Sequence, residues 1–157
     1  MKFEGIHRML VPVDFSKTAG RAYEYARGLA PCSGAEIHVV HVLDTHYLSG
    51  AMHIKIEPRD EMVEKWRAHS RDKMEQLYGR KGDAGSALVL HLKEGKPHEE
   101  ILKAAEELEA DLIVIGSHGR GGLERSIFGS VAEKIMKLAE VPVLLIKLKG
   151  GPGIVPE

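Results

Sequence analysis

The sequence predicts an α/β fold: one domain in which a five-stranded parallel sheet lies between two layers of helices. Three observations predict it. Five short apolar runs punctuate the 157 residues. Segments with helical spacing of apolar side chains separate those runs. Three of the runs are near-continuous Val, Ile and Leu, the pattern of strands covered on both faces. Strands alternating with helices imply right-handed crossovers and a parallel sheet.

The strands are expected at Met9–Val13, Glu36–Leu43, Ala87–Leu92, Asp111–Ile115 and Val141–Leu148. Pro12 removes a ladder donor, so it marks the carboxyl end of the first strand, with Val13 and Asp14 leaving the sheet. The first helix follows Ala19, Ala22, Tyr23, Ala26, Leu29 and Ala30, and APCSGAE, containing Cys32, reads as its connection to the second strand. Val63, Trp66, Ser70, Met74 and Leu77 form the inward stripe of the second helix. Ile101, Ala104, Ala105 and Leu108 mark the third, with Pro97 in its first turn and Glu99 and Glu100 matching its dipole. Ile127, Val131, Ile135 and Leu138 mark the fourth. Residues 44–58 read as an excursion at one rim. The domain is expected to span 1–149, with 150–157 a loose tail.

Composition narrows the function classes. The net charge of −1 gives no field for nucleic acid or an anionic membrane. Aromatic residues, at 5%, are too few for base-stacking platforms. No apolar run approaches the about 18 residues of a membrane span. The single cysteine, Cys32, excludes an internal disulfide, which fits a reducing compartment. The chain is expected to be cytoplasmic. His38 and His41, three apart on a strand, point to opposite faces and make a poor chelating pair. No Cys–His spacing supports zinc, so no protein-held metal is expected.

One stretch stands out. Residues 116–130 read GSHGRGGLERSIFGS and leave the carboxyl end of the fourth strand. In open α/β sheets, ligands sit at that rim, where strand order reverses. Glycine lets backbone approach a ligand closely. The free amides and dipole of the following helix favour phosphate. The P-loop pattern is absent, and the dinucleotide fingerprint fails because position 124 is Glu. The spacing that holds is Gly116-x2-Gly119-x9-Gly129-Ser130.

With that spacing the chain resembles the universal stress protein family, whose ATP-binding members carry G-2x-G-9x-G-(S/T). LVPVDFSKTA (10–19), IHVVHVLD (37–44), GKPHEEILKAAEELEADLIVIGSHGRGG (95–122) and VPVLLIK (141–147) resemble the family's segments in order. The resemblance implies a Rossmann-like sheet of order 3-2-1-4-5, with adenine nucleotide between strands one and four. By resemblance, Pro12, Val13 and Asp14 flank the adenosine and Val42 meets the adenine. Ile115 and Gly116 line the ribose side, and Gly119, Gly129, Ser130 and Val131 hold the phosphates. ATP, AMP or ADP is the implied ligand, with Mg²⁺ or Mn²⁺ as the accompanying ion. The resemblance also implies a homodimer joined through Val141–Leu148, an apolar edge that would otherwise invite pairing.

Alternatives stay open for several residues. Asp14 also reads as the cap of the first helix. Arg120 and Arg125 read either as phosphate partners or as solvated surface arginines. His118 has no nucleophile or carboxylate fixed beside it, and no catalytic residue is assigned. A nucleotide-dependent stress-response protein is the favoured reading. A slow ATPase or phosphoryl or nucleotidyl transferase is the second. An interaction module without nucleotide, or a flavin electron-transfer relative, completes the set.

Overall fold

The computed structural model describes residues 5–46, 59–79, 86–118 and 128–147. Its elements alternate: β1 (Arg8–Val13), α1 (Lys17–Ser33), β2 (Glu36–Asp44), α2 (Arg59–Tyr78), β3 (Leu88–Gly95), α3 (Pro97–Glu107), β4 (Leu112–Gly116), α4 (Ser130–Leu138) and β5 (Val143–Ile146). The strands form one parallel sheet in the order β3-β2-β1-β4-β5. Residues 47–58, 119–127 and 148–157, which hold most of the expected excursion, Gly119, Arg120, Arg125, Ile127, Leu148 and the tail, lie outside the described residues.

The alternation of strand side chains builds two cores. Met9, Val11, Val13, Ile37, Val39 and Val114 face α1 and α2, meeting Ala22, Tyr23, Ala26, Met74 and Tyr78. Leu10, Val40, Ile113 and Ile115 face α3 and α4, meeting Ile101, Ala104, Ala132 and Ile135. Met9, Leu10, Val11, Val39, Ile113 and Val114 are inaccessible to solvent, as continuous apolar strands demand.

Several expected details are corrected. Alanine–proline–cysteine–serine belongs to α1, not to a connection. The helix tolerates Pro31 in its last turn and ends at Gly34 in the left-handed region (φ 73°), whose N–H reaches the Ala30 carbonyl. Leu29, Leu77 and Leu138 leave the expected stripes: they are exposed, Leu138 at 58%. Tyr78 takes the inward place expected of Leu77, next to Met74. β3 runs later than expected, ending at Gly95.

Pro12 does not end β1. It is buried, pairs with Val40, and Val13 stays in the sheet opposite His41. The physical reason lies in which neighbour loses the donor. The His7 carbonyl accepts from Glu36, the first residue of β2, while the Arg8 carbonyl accepts from Asp111, just before β4. Main-chain groups alternate along a strand, so even-numbered residues of β1 look toward β4. The donor Pro12 lacks is therefore one for β4. Pairing with β2 continues to Val13, whereas pairing with β4 covers only Met9 and Leu10.

Candidate functional site

That asymmetry leaves β1 and β4 without ladder pairing at their carboxyl ends, the place where open α/β sheets form a ligand crevice. It is also the switch point of the sheet, since β2 and β3 extend to one side of β1 and β4 and β5 to the other. Pro12, Val13 and Asp14 form its β1 wall. Val42, one residue beyond the partner of Val13, stands at the same rim on β2. Ile115 and Gly116 end β4. Val42 and Val131 pack onto the core that contains Ile115, so three of the apolar candidates share the α3–α4 face.

Asp14 is half-buried and does not cap α1. Its Oδ1 accepts the Ser16 N–H at 3.0 Å, and Ser16 is the cap, its Oγ accepting from Ala19 at 3.2 Å. Between them, Phe15 adopts a left-handed backbone (φ 66°), costly for a residue with a Cβ. The ring offsets that cost by its contacts. It lies 4.3 Å from the His41 ring and 6.5 Å from Tyr78 between centroids, with the Lys73 ammonium 4.8 Å away. His41 Nδ1 donates to the Val13 carbonyl at 2.8 Å, which fixes that ring against the end of β1. Below them, Tyr23 meets Tyr78 edge-on at 4.9 Å and donates to its carbonyl at 3.0 Å. Burial first, then the negative charge of Asp14 and the neighbouring Tyr23, push the Tyr78 hydroxyl up to about 12. An aromatic plug thus sits under the turn that carries Asp14.

Gly116 is buried for a steric reason. A Cβ there would sit 2.9 Å from the Thr18 carbonyl carbon and 3.1 Å from the Ala19 nitrogen. β4 therefore ends directly against the first turn of α1. Ser117, 2% exposed, then ties three elements together. Its N–H donates to Ile146 of β5 at 2.8 Å, and its carbonyl accepts from Gly129 at 2.7 Å. Its Oγ lies 3.0 Å from His118 Nδ1. Gly129 occupies the cap position of α4 without a side-chain cap bond, in an extended conformation open to any residue. Ser130 follows as the exposed first helical residue, and Val131 is half-buried. The first N–H groups of α4 lack intrahelical acceptors, as at any helix start.

The structure thus brings Pro12, Val13, Asp14, Val42, Ile115 and Gly116 to one rim and joins Gly129 to the end of β4, with Ser130 and Val131 next in α4. Gly119 and Arg120 lie outside the described residues. Sequence reasoning missed Phe15, His41, Tyr78 and Ser117. The alternation that sends His41 away from His38 was the available signal for His41. Nothing in the sequence signals a positive φ at a phenylalanine.

Residues 5–147 match the sequence profile of the universal stress protein family. The chain belongs to that family. It is 30% identical to universal stress protein MJ0577 of Methanocaldococcus jannaschii over 154 residues, covering 90% of this chain and 95% of that one. It is also 30% identical to universal stress protein YxiE of Bacillus subtilis, covering 90% and 99%. The solved structure of MJ0577 superposes with a TM-score of 0.80 at 31% identity, over 92% of this chain and 97% of that one. The universal stress protein of Archaeoglobus fulgidus, solved in complex with dAMP, superposes with a TM-score of 0.63 at 25% identity, over 90% and 98%. No helix among the described residues is long and apolar enough to cross a membrane.

Proposed function

We propose that this universal stress protein binds an adenine nucleotide, ATP or its AMP and ADP relatives, in the crevice between β1 and β4. The observation that carries the reading is the crevice itself. Pro12 withholds a donor from β4 beside a carboxylate, and Gly129 and Ser130 start a helix hydrogen-bonded to the end of β4. An apolar wall of Pro12, Val42 and Ile115 suits a purine. The Asp14 carboxylate suits ribose hydroxyls, and the α4 amides suit phosphate. Gly119 and Arg120 complete the phosphate side, with Mg²⁺ or Mn²⁺ carried in on the nucleotide. The dAMP complex of the family member supports the same ligand class.

Nucleotide occupancy would then act by population shift, selecting one conformation of the loop for a cytoplasmic partner in a stress response. Among the described residues, β5 is hydrogen-bonded along one edge only, to β4. We place the homodimer contact there, along Val141–Leu148. Sedimentation of the purified protein as a monomer across the micromolar range would remove that part of the reading.

The deciding experiment is calorimetric titration of ATP, with and without Mg²⁺, into the wild type and Gly129→Val. Thermal unfolding of both proteins serves as the folding control. The wild type is expected to release heat and a folded Gly129→Val to lose most of it. Equal binding by both overturns the phosphate assignment, and no binding by the wild type overturns the function. Phosphate release measured in the same samples separates a binding protein from a slow ATPase.

A further inference from the structure

In the first half of β2 and β3, the buried His38 faces the half-buried His91. His38 is 7% exposed. Its register partner is Val89, and His91 lies two residues farther along β3, on the same face. His38 Nδ1 and His91 Nε2 are 3.0 Å apart, and His38 Nε2 lies 3.4 Å from Glu36 Oε2. The ring centroids are 5.2 Å apart, farther than the nitrogens by about two ring radii, and the planes differ by only 25°. The two nitrogens therefore lie between the centroids, each ring presenting its edge to the other.

Head-on lone pairs do not converge on a metal ion. No group of three or more His, Cys, Asp or Glu side chains among the described residues could hold one. The arrangement instead takes one proton between the rings, since a nitrogen–nitrogen hydrogen bond needs one N–H and one lone pair. When His91 donates to His38 Nδ1, neutral His38 holds its single N–H on Nε2, facing Glu36, and every contact is satisfied. A first added proton on His91 Nδ1 leaves that contact intact, but a second, on His38 Nδ1, sets two N–H groups face to face and two positive charges together.

The charged groups around the pair offer little relief. Arg8 of β1 lies 3.9 Å from Glu36 and 3.1 Å from Glu109 in the turn after α3. Lys93 of β3 binds Glu107 of α3 at 2.8 Å, with Lys103 4.0 Å from the same residue. The carboxylates that could soothe a second proton already face cations. A cavity of about 340 Å³, lined by Arg8, His38, Glu107, Leu108 and Glu109, borders the His38 side of the pair.

We propose that Glu36, His38 and His91 form a one-proton clasp that fastens the edge strand β3 to β2 and loosens when the pair takes up a second proton. The ladder from Ile37–Leu88 to Asp44–Gly95 keeps β3 attached, so the loosening is confined to its first half.

The test combines ring-nitrogen NMR of the full chain, labelled at histidine, with amide exchange at about pH 7.5 and about pH 5, on either side of the usual histidine range. The Ile37 N–H donates to Ala87, so the odd-numbered amides of β3 look toward β2. Protection factors of Val89 and His91 are expected to fall about tenfold or more on acidification, the size of one pK unit. Amides of β4 should keep theirs. His38→Gln and His91→Gln, each lacking one ring of the pair and so unable to bring two cations together, should lose the pH dependence. The wild-type spectrum should show a hydrogen-bonded pair titrating in two coupled steps. Unchanged wild-type protection, an undiminished pH response in a folded variant, or two rings titrating independently would overturn the proposal.

Discussion

Replacing Gly116 with alanine tests whether the close approach of β4 to α1 is as tight as the geometry indicates. The added Cβ would sit 2.9 Å from the Thr18 carbonyl carbon, 3.0 Å from Thr18 Cβ and 3.1 Å from the Ala19 nitrogen. Two of these three atoms are backbone, and neither side yields cheaply. The start of α1 is held by Ser16 and Asp14, and the end of β4 by Ser117 on β5. Overpacking of this kind costs about 1–3 kcal/mol. Reduced freedom of the unfolded chain returns about 0.4–1 kcal/mol. The net expectation is a loss of about 1–2 kcal/mol. With a urea slope of about 2 kcal/mol per molar, the middle of the usual range, the midpoint should fall by about 0.5–1 M. Gly28→Ala is the matched control, because a Cβ there meets nothing within 4 Å in α1. It should gain about 0.5–1 kcal/mol, the ordinary helical preference for alanine. Equilibrium urea unfolding of the three proteins reads both. A Gly116→Ala protein as stable as the wild type would refute the packing argument.

Three further outcomes follow from the aromatic plug. Tyr23→Phe removes the donor to the buried Tyr78 carbonyl, and chemical unfolding should show a loss of about 1–2 kcal/mol. Phe15→Gly should be more stable than Phe15→Ala by about 1 kcal/mol, because both lose the ring and only glycine is relieved of the positive φ; equal midpoints would speak against strain at this turn. The Tyr78 hydroxyl, pushed up to about 12, holds its proton more tightly in the folded state than in the unfolded one. Its contribution is fully present below the ordinary tyrosine value near 10 and is lost as pH rises through about 12. Urea midpoints taken across that alkaline window should decline, and the decline should shrink in Tyr78→Phe.

Much of the fold was legible because its strands obey a simple rule. Segments such as MLVPV and LIVIG are buried on both faces and read as continuous apolar runs. Strand order was not legible from periodicity; the family resemblance supplied it. Helix ends were misread where local chemistry was overruled. Pro31 sits in the last turn of α1, where a proline inside a helix normally signals its end. Leu29 and Leu77 were assigned inward although they stand one position off the buried face, which Ala30 and Tyr78 occupy, and Leu138 is the last residue of α4. At the candidate site, the glycine spacing and Asp14 could be read directly. The Asx turn, the strained Phe15 and the Ser117 contacts depend on which backbone groups meet in space. The His38–His91 pair depends likewise on strand register, which no spacing within β2 or β3 reveals.

The hydrogen bond from Gly129 to Ser117 has a consequence for how the protein can change over time. It joins the two ends of residues 118–128 at a neck, with Ser117 itself anchored to Ile146. The cost of bringing the ends together belongs to the scaffold, and it grows only slowly with length: doubling such a loop adds about 0.6 kcal/mol. By that measure, a change in the length of the segment between the two anchors is expected to cost the sheet little stability. Sequence change can therefore accumulate between the anchors without unfolding the domain, and transplanting this segment between relatives, cut at Ser117 and Gly129, should leave the unfolding midpoint nearly unchanged.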